Sequence, residues 1–62
     1  MTQKARIEYQ TQFGTWRLFT TVTVLGSNVH DALQRALALQ ACAGKARAVD
    51  TADGSLLDFQ MG

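Results

Sequence analysis

His30, Asp31 and Cys42 are the residues whose types could build a nucleophilic centre: a thiol, a base to activate it and a carboxylate to orient the base. Their spacing opposes that chemistry. His30 and Cys42 fall in one helical stretch, twelve residues apart. That is about 18 Å along an axis rising 1.5 Å per residue, far beyond hydrogen-bond reach. His30 reads as a first-turn surface residue and Cys42 as a spectator thiol near the helix end. Asp50, Asp53 and Asp58 form a second candidate set, for a cation. The stretch Asp50-Thr51-Ala52-Asp53-Gly54 lacks the alternating oxygen ligands and distal glutamate of an EF-hand loop, and turn chemistry accounts for Asp53. One histidine and one cysteine cannot complete the four ligands of a structural zinc site. Gly14 and Gly26 stand apart, with no glycine-rich phosphate loop around them. The sequence therefore predicts no enzyme and no cofactor.

A chain of 62 residues suffices for one small domain spanning 1–62. A domain of this size has a thin margin of stability, commonly supplemented by disulfides, a metal or self-association. The single cysteine cannot form an internal disulfide, which leaves self-association, such as a homodimer, as the expected supplement. A net charge of +1 opposes a chain dedicated to wrapping nucleic acid or coating an acidic membrane. No apolar run approaches the ~20 residues that cross a bilayer, and the N-terminal residues lack the order of a signal peptide. These features predict a soluble protein of the cytoplasm, where a lone cysteine stays reduced.

Two periodicities alternate along the chain. Lys4 to Gln10, Trp16 to Val24, Lys45 to Thr51 and Leu56 to Met61 change face at every residue, as strands do. Asn28 to Ala43 repeats Val29, Ala32, Leu33, Ala36 and Ala43 on one helical arc. The expected fold is therefore α+β, a ββαββ chain with one helix on one face of a four-stranded antiparallel sheet of order 2-1-3-4. Gly14 supplies the positive φ of the first hairpin, and Ser27 or Asn28 is placed to cap the helix by accepting a backbone amide. Gly44 is placed to end it. Asp53-Gly54 reads as the two central residues of a tight second hairpin, pairing Ala48 with Phe59 and Val49 with Asp58.

Strand alternation then sorts the side chains. Ala5, Ile7, Tyr9, Trp16, Leu18, Ala46, Ala48, Leu57 and Phe59 are expected under the helix. The uncovered face would present Arg6, Glu8, Arg17, Phe19, Thr21, Thr23, Arg47, Val49, Leu56 and Asp58. Its mixture of apolar side chains and arginines resembles a protein interface more than a solvated surface. Arg6, Arg17, Phe19, Arg47, Val49 and Leu56 are the predicted partner-binding residues. The alternative is a nucleic-acid platform, with Phe19 stacking a base and the arginines on phosphates, although the sequence lacks the aromatic, glycine-containing stretch of an RRM. The unguarded edges Thr20 to Thr23 and Leu56 to Phe59 are a third surface on which a partner strand could pair.

At Phe13-Gly14-Thr15-Trp16, Ser27 with Ala32 and Ala36, Val49-Asp50 and Asp53-Gly54, the chain resembles small uncharacterised ββαββ proteins of bacteria and phages. In size and general architecture it is also similar to several phage-encoded anti-CRISPR inhibitors. That resemblance implies a non-enzymatic module that occludes a protein partner, and it transfers no site residue.

Overall fold

Alternating side chains build four strands, and one amphipathic stripe builds the helix between them. The computed structural model describes residues 3–39 and 44–61. Its elements are β1 (Lys4–Gln10), β2 (Trp16–Thr23), α1 (Asn28–Leu39), β3 (Lys45–Asp50) and β4 (Leu56–Met61). The strands form one antiparallel sheet in the order β2-β1-β3-β4, with α1 packed on one face. The predicted α+β architecture and strand order are those observed. The last predicted helical turn, Cys42 included, and the junction into Gly44 lie outside the described residues. Among the described residues no helix is long and apolar enough to cross a membrane.

Alanine fills most of the layer between helix and sheet. Ala5, Ile7, Ala32, Leu33, Ala36, Ala46 and Ala48 form the buried cluster, in which Ile7 and Leu33 alone are large. Phe19, Val22, Val24, Val29 and Leu37 close its margins. Burying a Leu or Ile side chain stabilises by roughly 1.5–3 kcal/mol and a methyl far less, so this interior carries little redundancy.

Each hairpin uses a left-handed glycine. In the first, Thr11 N donates to Thr15 O and Gly14 N to Thr11 O, closing a loop around Gly14 at φ 83°. Thr11 Oγ1 accepts from the amides of Phe13 and Thr15, which satisfies the loop backbone. The second differs from the expected two-residue turn. Asp50 N donates to Ser55 O and Gly54 N to Asp50 O, so the loop spans residues 51–54. A two-residue Asp-Gly turn of the type I′ class needs positive φ at both central positions. Only Gly54, at φ 76°, adopts one, and among the described residues no non-glycine does. Asp53 instead accepts from the amide and hydroxyl of Ser55.

The start of α1 also departs from expectation. Ser27 O accepts from Asp31 N as the first helical bond, but the Ser27 hydroxyl donates to the Asp31 carboxylate instead of accepting a backbone amide. Asn28 Nδ2 donates to Thr23 O, tying the helix start to the end of β2.

Candidate functional site: a groove on the open sheet face

Two irregularities in the ladder decide which side chains face away from the helix. β1 is regular against β3 throughout, so Ala5, Ile7 and Tyr9 point toward the helix and Lys4, Arg6, Glu8 and Gln10 away from it. Against β2 the pairing passes from Ile7↔Thr20 to Glu8↔Leu18, which leaves Phe19 as an extra residue. Such a bulge shifts the alternation of its strand by one position. Thr20 and Val22 consequently share the helix side with Ile7 and Ala5, whereas Leu18 and Trp16 lie beside Glu8 and Gln10 on the open side.

This overturns the inward assignment of Trp16 and Leu18. Trp16 lines the open groove, and Leu18 is 58% exposed. It equally moves Phe19 off the open face on which it was expected, because Phe19 packs against the buried cluster. Arg17 pairs with Tyr9 and so stands on the helix side of the sheet, exposed at its edge.

β4 carries the second irregularity. Val49 pairs with Leu56 and Ala48 with Asp58, so Leu57 is the extra residue, and Phe59 falls opposite Arg47. The expected pairs Ala48 with Phe59 and Val49 with Asp58 are therefore replaced. Phe59 moves from the predicted core to the open face, where it is 41% exposed, and Asp58 leaves that face for the helix side. Leu57, also expected inside, is 37% exposed and stands outside the buried cluster.

Arg6, Glu8, Trp16, Arg47, Val49, Gly54, Leu56 and Phe59 together line a concavity of about 430 Å³ on the open face. Four of the six predicted partner-binding residues meet there: Arg6, Arg47, Val49 and Leu56. Val49 is only 8% exposed and makes its floor. Arg47 is fixed from two directions, because its Nε donates to Glu8 Oε1 at 2.9 Å and its guanidinium carbon sits 4.1 Å from the centre of the Trp16 ring. A guanidinium over an indole is attracted by the negative ring face, and the carboxylate holds its plane in place. One arm of Arg47 is thus committed, and its remaining N–H groups are available to an incoming acceptor.

Alternation alone could not reveal Trp16 and Phe59. A signal for Trp16 did exist: counting back from the Gly14 loop sets Trp16 opposite Gln10, on the polar side of β1, unless the strand is interrupted.

The other candidate residues do structural work or stand alone. Asp50 is buried and accepts from Ala52 N and from Gln3 Nε2, fastening the second loop and the start of β1. The Asp53 carboxyl is held below its ordinary pKa by the side-chain and then the backbone hydrogen bond from Ser55. Asp58 accepts from the amide of Phe59. Among the described residues no three His, Cys, Asp or Glu side chains gather as a metal set. His30 is exposed on α1. No protein-family model matches the chain, and no curated protein or solved structure matches it significantly.

Proposed function

We propose that this chain is a non-enzymatic protein-binding module that engages its partner through the open sheet face. In the form suggested by its likeness in size and architecture to phage anti-CRISPR inhibitors, it acts as an inhibitor or accessory factor of a mobile element by steric occlusion. The observation that carries this reading is the groove around Arg47, in which Trp16, Leu56 and Phe59 surround a guanidinium already oriented by Glu8. Trp and Arg dominate binding energy at protein interfaces, and side chains ordered before binding lose less entropy when a partner arrives. The single cysteine supports a reducing, cytoplasmic setting.

The test is partner capture by the tagged chain, with Trp16→Ala and Leu56→Ala as competitors. Both variants should retain the wild-type far-ultraviolet dichroism and lose at least tenfold in affinity. Retention of full affinity by both would overturn the reading. A nucleic-acid platform is the second reading, favoured by two aromatics, Trp16 and Phe59, on the same face as Arg6. It predicts binding of single-stranded oligonucleotides that weakens steeply with salt as counterions compete.

A further inference from the structure

The net charge of +1 conceals a division between two sides of the molecule. All eleven charged side chains lie among the described residues. Register places Lys4, Arg6, Lys45 and Arg47 on the open face with Glu8 as its one carboxylate. Arg17, Arg35, Asp31, Asp50 and Asp58 lie on the helix side, beside Tyr9, on α1, opposite Ala5 and opposite Ala48, and Asp53 lies in the second loop, whose Gly54 borders the groove. The open face of the strands therefore carries a formal charge of +3, the helix side −1, and Asp53 adds −1 in the loop that borders the groove. The β4 bulge contributes to this separation by turning Asp58 to the helix side.

From this asymmetry, and resting on the protein-binding reading above, we infer that the occupant of the groove is an acidic, partly apolar protein segment. Glu8 pairs with Arg47 at the centre, so the cations left without an ion pair on that face are Arg6, which lines the groove, and Lys4 and Lys45 toward the strand ends. Apolar side chains in the middle and like charges outside match an interface with a desolvated centre and a polar rim. A partner with apolar residues flanked by Asp or Glu complements both zones, and the rim charges speed its encounter. A second copy of this chain in face-to-face contact would oppose +3 with +3. Single-stranded nucleic acid would use the cations but leave Leu18, Leu56 and Met61 without stacking partners, and Arg47 already covers one face of the Trp16 ring.

The experiment is selection of displayed random 12-residue peptides on the intact chain, followed by titration of the enriched peptides and of oligo(dT) by calorimetry. Enriched peptides should combine aromatic or aliphatic residues with a net negative charge. Their affinity should fall about tenfold at low salt for the exposed charge reversals Arg6→Glu with Lys45→Glu, and at least tenfold for Leu56→Ala. Enrichment of neutral or basic peptides that still depend on Leu56 would overturn the charge assignment and leave the protein-binding face standing. Peptides indifferent to Leu56, no enrichment at all, tighter binding of oligo(dT), or a dimer that buries this face would overturn both.

Discussion

Replacing Phe19 by alanine separates the two sides of the sheet more sharply than any other single change. Phe19 is half-buried against the Ile7 and Leu33 cluster. Truncating a fully buried phenylalanine costs about 3–5 kcal/mol, and scaling for half-burial gives ~2 kcal/mol here. At 0.05–0.15 kcal/mol per residue, a 62-residue domain has roughly 3–9 kcal/mol in total. The variant therefore loses a large share of its stability, and its Tm should fall by roughly 8–16 °C. Phe59→Ala provides the control. Phe59 is 41% exposed on the open face, so its removal opens no enclosed cavity and should cost about 1 kcal/mol. The assay is urea and thermal unfolding followed by far-ultraviolet circular dichroism, paired with partner binding. Phe19→Ala should lower stability and leave the affinity of the folded fraction intact, while Phe59→Ala should weaken binding and cost the smaller share of stability. Equal stability losses, or a larger loss for Phe59→Ala, would refute the bulge at Phe19 and the face assignments built on it.

Three further outcomes follow from local geometry. Arg47→Met removes the Glu8 ion pair and the contact over Trp16 together, and urea titration should show a loss of about 1 kcal/mol after allowance for the partial exposure of the pair. Gly54→Ala should cost roughly 1–2 kcal/mol from its left-handed φ of 76° alone, because no atom lies within 4 Å of an added Cβ, and Gly54→Asn should cost less in the same titration. The Asp53 carboxyl has a lowered pKa in the fold, so its charge stabilises the native state above the ordinary carboxylate pKa. That contribution fades as pH drops through the lowered value. Thermal melts of wild type and Asp53→Asn should differ at neutral pH and converge in acid.

Element positions were readable because each rests on a local signal. β1 and β4 begin and end where alternation places them, and the stripe around Ala32, Leu33 and Ala36 marks the buried side of α1. The strand order follows from two hairpins and one crossover. Facing was less readable, because a period of two assigns every even position of β2 to one side. One unpaired residue, Phe19, sends Trp16 and Leu18 outward while Thr20 and Val22 stay inward. The Asp53-Gly54 dipeptide misled for a related reason: glycine marked the left-handed position, while loop length was set by the Asp50 and Ser55 pairing. Of the residues expected to bind a partner, Arg6, Arg47, Val49 and Leu56 share a groove because their strands keep phase with β1 up to the β4 bulge. Phe19 and the Trp16–Phe59 pair changed places because theirs do not.

The stacked guanidinium gives the molecule an internal optical gauge. Trp16 is the sole tryptophan, and one side of its indole is shielded by Arg47 while the groove leaves another side wet. An occupant that covers the remaining side takes water from the indole and moves its emission maximum to the blue. The colour of the unlabelled protein thus reports that the groove has been filled.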